Sequence, residues 1–154
     1  MTISLPAYRK DCEFYRKNLA RTDELLYDLC RDHSEHGEQD WVHTKVLLIG
    51  RGFASGIERQ IPAQEGAGTS IWEVSKLLHK HHHDVDRMMT RLAGINDPLD
   101  CLGAKGLQTI VTEHEKLCQL LLKITKKKRA RSFASKYLHF HCPLVPMFDW
   151  RAYA

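Results

Sequence analysis

Apolar residues recur every three or four positions through almost every long segment of the chain, a spacing that gathers them on one face of an α-helix. From Trp41 to Ile61 the face is Val42, Val46, Ile49, Phe53, Ile57 and Ile61. From Ser70 it is Ile71, Val74, Leu78, Val85, Met88 and Leu92, and over 107–125 it is Leu107, Ile110, Val111, Leu117, Leu121 and Ile124. Residues 6–19 and 22–34 read as a helical pair, with Thr22 as an N-cap and Leu25, Leu26 and Leu29 on the apolar face of the second helix. A short helix from about Ser132 to His141 ends before Pro143. Nothing alternates with the period of a strand beyond the apolar patch Val145–Phe148. The expectation is an all-α fold: one compact domain over 1–154, with about five or six helices.

The breaks between these segments are equally legible. His33–Asp40 is a polar loop, Pro62 and Gly66–Ser70 mark another, and residues 93–106 form a turn-rich connection. Ser70 and Glu73 have the spacing of a capping box. Gly50, Gly52 and Gly56 lie inside the Trp41–Ile61 pattern, each costing about 1 kcal/mol against Ala in a helix interior. Small residues there would admit another backbone at close range.

With 154 residues, 43% hydrophobic and 27% charged, the chain can build a core, which excludes disordered and collagen-like classes. No apolar run approaches the ~20 residues of a membrane helix, and the first residues lack a signal-peptide core. The five Cys (12, 30, 101, 118 and 142) are odd in number and contain no C-x-x-C pair, so they read as reduced thiols of a cytoplasmic protein. Cys118 and Cys142 are expected as small buried hydrophobes. In His79-Lys80-His81-His82-His83-Asp84, two imidazoles one turn apart have a spacing that suits zinc or nickel. No third ligand is indicated, so the run reads as an exposed polar face, and no metal or cofactor is assigned.

The net charge of +4 hides a strong asymmetry. Between Glu115 and Asp149 there is no acidic residue, while Lys116, Lys123, Lys126, Lys127, Lys128, Arg129, Arg131 and Lys136 all fall there. That window carries +8 and the rest of the chain −4. Such a segment attracts phosphate backbones. It also has a plain structural reading, as a solvated basic helix end favoured by the helix dipole.

Two motifs have the composition of a site. In Leu48–Arg59, the residues Arg51, Ser55, Glu58 and Arg59 come together on two helical turns. Arg51 and Glu58 either pair with each other or present a planar guanidinium to a phosphate or carboxylate. In Arg131–Pro143, Lys136 lies among Phe133, Tyr137, Leu138 and Phe140, and Asp149 follows an apolar turn. A buried amine of this kind can act as a Schiff-base nucleophile with Asp149 as partner. The alternative is a Lys that snorkels from the helix edge and an Asp that only caps.

These motifs resemble an uncharacterised family of bacterial proteins carrying IGR-x-[YF]-A-x-x-x-ER and SF-x-SKYLHFH-x-P followed by Asp, matched here by Ile49–Arg59 and Ser132–Asp149. A fainter similarity runs to the helical base-excision DNA glycosylases, in which a helix-borne Lys works with an Asp at the start of a later helix. That resemblance implies Lys136 as nucleophile and Asp149 as the group assisting departure of the base. The Gly-x-Gly hairpin of those enzymes has no counterpart, since Arg129–Ser135 contains no Gly. The chain stops five residues after Asp149, so a truncated relative, or support from a second subunit, is expected.

Two functions compete at this stage. One is a DNA- or RNA-binding helical domain, with or without glycosylase/lyase chemistry. It would use Lys136 and Asp149 catalytically, and Arg51, Glu58, Arg59, Lys126, Lys127, Lys128, Arg129 and Arg131 for phosphate or ligand. The other is a homodimeric protein-interaction module without catalysis, suggested by the Phe148-Asp149-Trp150-Arg151 tail and the oppositely charged halves. A fainter third is a small-ligand binder using Arg51 and Glu58. Neither reading places the chain in a membrane.

Overall fold

A computed structural model describes residues 5–18, 20–53, 55–62, 70–96, 102–126 and 129–148, with side chains described from residue 9 onward. The described residues are helical and include no strand. Their α-helices are α1 (Leu5–Asn18), α2 (Ala20–Asp32), α3 (Gln39–Leu47), α4 (Ser70–Lys80), α5 (His82–Ala93), α6 (Ala104–Leu121) and α7 (Arg131–His141). That makes seven, rather than five or six, because one expected helix is broken at a histidine.

The break lies in the 70–92 pattern, where α4 and α5 meet at His81 (φ −106°, ψ 26°). At the junction the His81 N–H still bonds to the Leu77 carbonyl, while the Asp84 and Val85 N–H groups both turn to the His81 carbonyl. The His82 ring, however, donates to the His79 carbonyl at 3.0 Å. A side chain inserted into the helical ladder bends the axis.

The 41–61 pattern is not one helix either. α3 gives way to a π-helical turn at Leu48–Gly52, and a 3-10 turn follows at Ile57–Gln60. Gly56 sits between them at φ +69°, a left-handed conformation open chiefly to Gly. The Ser55 hydroxyl closes the turn by donating to the Gly50 carbonyl at 3.0 Å. The close approach expected at the glycines occurs at Gly50, and to a side chain rather than a backbone. A Cβ there would stand 2.7 Å from Ile71 Cδ1.

Three smaller expectations also change. Thr22 lies inside α2 and does not cap it. Leu25, Leu107 and Val111 are exposed, so the apolar faces of α2 and α6 are narrower than their spacing suggests. In the histidine run, His79, His81 and His82 are half-buried rather than exposed.

The centre of the fold is α7. Ser132 through Leu138, and Phe140, are all buried. α2 and α6 pack on it, as does the π-turn, while α3 packs most extensively on α4. A helix enclosed on every side needs apolar residues all round. α7 meets this with Phe133, Ala134, Tyr137, Leu138 and Phe140, while also carrying Ser132, Ser135 and Lys136 inside. Cys118 and Cys142 are buried as expected.

Candidate functional site

The α2–α3 loop turns inward and delivers His36 to the core at 0% exposure. Lys45, three residues after Val42 and on the same face of α3, draws the loop in. Its buried ammonium donates to the carbonyls of His33 (2.8 Å) and Glu35 (3.3 Å), just past the end of α2. Cations are favoured at that end of a helix. Burial lowers the Lys45 pKa to about 8.

Every polar group of His36 is bonded. Its backbone N–H and Nδ1 both reach Asp86 Oδ1, at 3.1 and 2.7 Å. Its Nε2 lies 2.8 Å from the Tyr137 hydroxyl, and its carbonyl 3.1 Å from His79 Nδ1. A carboxylate oxygen only accepts, so Nδ1 carries the proton and Tyr137 donates to Nε2. Burial, then the nearby Lys45 charge, holds the His36 pKa down to about 4 against the opposing pull of Asp86. The ring is therefore neutral at pH 7.

His141 follows Tyr137 by one turn of α7, with its ring 5.2 Å from the rings of both His36 and Tyr137. Its Nε2 is buried and, among the described residues, has no hydrogen-bond partner. Desolvation, with Lys45 and His36 adding to it, pushes this imidazole well below its ordinary pKa. Beside it opens a cavity of about 800 Å³ between α2, α5 and α7, walled by Tyr27, Met89, Phe140 and His141 and reached by Asp86 and Glu35. Cys30 also lines it, but burial raises that thiol to about 12, which leaves it without nucleophilic thiolate at neutral pH.

The residues singled out from sequence lie elsewhere. Arg51 and Glu58 pair with each other on the surface (Nη2–Oε1 3.0 Å), and Arg59 is exposed with its guanidinium over Gly56. Lys136 is 4% exposed; it is enclosed and does not snorkel. Its ammonium donates to the Phe53 carbonyl at 2.7 Å and to the Ser132 hydroxyl at 3.2 Å, which ties α7 to the segment carrying Arg51. Next to it, Ser135 Oγ accepts from the Phe148 N–H at 2.9 Å. Asp149, Lys127 and Lys128 lie outside the described residues.

The basic window divides in two. Lys116 is drawn to the buried Glu113 at 2.7 Å, and Lys136 is interior. Lys123, Lys126, Arg129 and Arg131 are exposed, following one another from the end of α6 through the turn to the first residue of α7. Arg129 pairs with the exposed Glu115 at 3.3 Å. The chain matches no protein-family model, no curated protein and no solved structure.

Lys45 and Glu113 were within reach of the periodicity. Each falls three residues after a core position, Val42 and Ile110 respectively. His36 and Asp86 carry no such mark, because one lies in a loop and the other on a helix flank.

Proposed function

We propose that the chain binds nucleic acid through the exposed basic strip Lys123, Lys126, Arg129 and Arg131. The observation that carries this reading is the run of four outward cations across the α6–α7 turn, in a stretch of sequence without acidic residues. The Glu115–Arg129 pair does not oppose it, since exposed ion pairs are worth about 0–1 kcal/mol and a phosphate can replace the carboxylate. Fluorescence anisotropy with labelled single-stranded DNA, duplex DNA and RNA over a salt series tests it. Affinity should fall steeply with salt, and Lys126→Glu with Arg131→Glu should weaken all three ligands about tenfold or more. Undetectable or salt-independent binding would overturn it.

Lyase chemistry at Lys136 is a further step on the same reading. The amine, after giving up its proton, would add to the aldehyde carbon C1′ of an abasic site. The C1′ oxygen would leave as water to give a Schiff base, and β-elimination would then release the 3′ phosphate, with Asp149 steadying the charge. To reach a sugar, Lys136 must first release the Phe53 carbonyl. Borohydride trapping on abasic and oxidised-base DNA should give an adduct that Lys136→Met abolishes; no such adduct on any lesion would exclude the lyase version.

A second reading, a homodimer, is favoured by the exposed Phe14 and Leu25 on the α1–α2 pair. Light scattering of the full chain should then give a dimer mass that Phe14→Ser and Leu25→Ser together reduce to the monomer. A monomer at the outset would count against it.

A further inference from the structure

We propose that the cavity between α2, α5 and α7 is a binding site for an organic cation, an ammonium or amidinium group on a flat apolar body, with Asp86 as its anchor. The proposal is independent of the basic strip. At about 800 Å³ the cavity lies within the range that holds small organic ligands.

Its anchor is preorganised. Both bonds from His36 fall on Asp86 Oδ1, and among the described residues Oδ2 accepts none. A carboxylate fixed on one oxygen and open on the other suits an N–H donor that carries charge. Its wall is rigid as well. Tyr27 and Phe140 pack at 4.9 Å between ring centroids, Tyr27 is tied by its hydroxyl to His139, and Phe140 backs onto Phe53 at 4.7 Å. Aromatic faces favour a cation above them.

The local charge has the matching sign. Glu35 and Asp86 line the cavity, and Arg31 at the rim is already engaged by Asp28 (2.7 Å) and Asp32 (3.3 Å). Lys45 adds a positive charge behind the loop, but the four carboxylates Asp28, Asp32, Glu35 and Asp86 outnumber it and Arg31, and the His141 ring is neutral. The basic strip begins α7 at Arg131 while the cavity meets its other end at His141, about 15 Å away along the helix. An anion would thus go to one end of α7 and a cation to the other.

Benzamidine, benzamide and benzoate share one shape and differ in charge, so titration calorimetry of the full chain with each tests the assignment. Benzamidine should bind, at a Kd of about 1 mM for a fragment of its size, with benzamide about tenfold weaker and benzoate silent. Asp86→Asn should remove the preference for benzamidine over benzamide. Because that substitution also loosens His36, Ala93→Trp, at an exposed position of the cavity rim, provides an independent block and should abolish binding of both. Benzoate binding as tightly as benzamidine would overturn the proposal. So would benzamidine affinity unchanged by Ala93→Trp, or silence from all three at about 10 mM.

Discussion

One oxygen of Asp86 holds His36 twice, through its backbone N–H and its ring Nδ1, across fifty residues of sequence. The pair fixes the α2–α3 loop against α5 and leaves His36 Nε2 to receive the Tyr137 hydroxyl. What the loop would otherwise do in solvent is replaced by a fully bonded imidazole in the core.

Tyr137 and His141, neighbours on α7, should respond to phenylalanine with opposite sign. Tyr137→Phe leaves His36 Nε2 buried without a donor and should cost about 1–3 kcal/mol. His141→Phe removes an Nε2 that lacks a partner among the described residues and keeps a flat ring in place, so it should stabilise by about 1 kcal/mol. Urea denaturation of both variants measures the difference, and destabilisation by His141→Phe would contradict the unpaired state of that nitrogen.

The same imidazoles make the fold acid-sensitive. Below pH ~6.5 the unfolded chain protonates them, whereas folded His36 stays neutral until about pH 4 and His141 is likewise held low. Around them stand Cys30 on α2, Lys45 on α3, His82 and Asp86 on α5 and Tyr137 on α7. Stability present above pH 6.5 is therefore lost on descent towards pH 4, by up to about 3 kcal/mol for His36. The urea midpoint followed from pH 7 to 4.5 should fall, and His141→Phe should make the slope shallower; a slope the substitution leaves unchanged would rule His141 out.

Gly56 is held left-handed at φ +69°, where a Cβ costs about 1–2 kcal/mol. Gly56→Ala should lower stability by that amount. Gly50→Ala meets Ile71 Cδ1 at 2.7 Å instead, a packing conflict that Ile71→Val should partly relieve in the double variant while leaving Gly56→Ala unrelieved. Thermal melts of the four variants separate backbone strain from crowding; equal rescue of both glycines would refute the distinction.

Lys136 joins α7 to the π-turn. Lys136→Met keeps the length of the side chain but strips the donor from the Phe53 carbonyl, and should cost about 1–3 kcal/mol. Hydrogen exchange should show the loss concentrated in residues 48–53. Uniform loosening of the whole chain would show that the bond does not hold that segment in particular.

The helices were legible because each buries a stripe, and a stripe repeats. Ile71, Val74 and Leu78 announce α4 without reference to anything else in the chain. The joints were less legible. His81 breaks a helix through what the His82 ring does with one carbonyl, and Gly56 sets the 3-10 turn off from the π-turn by a single dihedral. Lys136 could be read as unusual because it interrupts an apolar helix, and its burial agrees. The His36–Asp86–Tyr137 arrangement could not, since its members stand 50 and 101 positions apart and meet only after the helices have packed.

That separation has a kinetic consequence. Most helical folds gather contacts between near neighbours and form quickly, because short loops close at little entropic cost. Here the innermost helix is bonded to a loop 101 residues upstream through Tyr137, and to α2 across 112 through Tyr27 and His139. Neither bond can form until the intervening chain has been brought round, so each carries the entropic cost of closing a loop of 101 or 112 residues. Until then the faces of α2 and α6 that pack on α7 stand open to water.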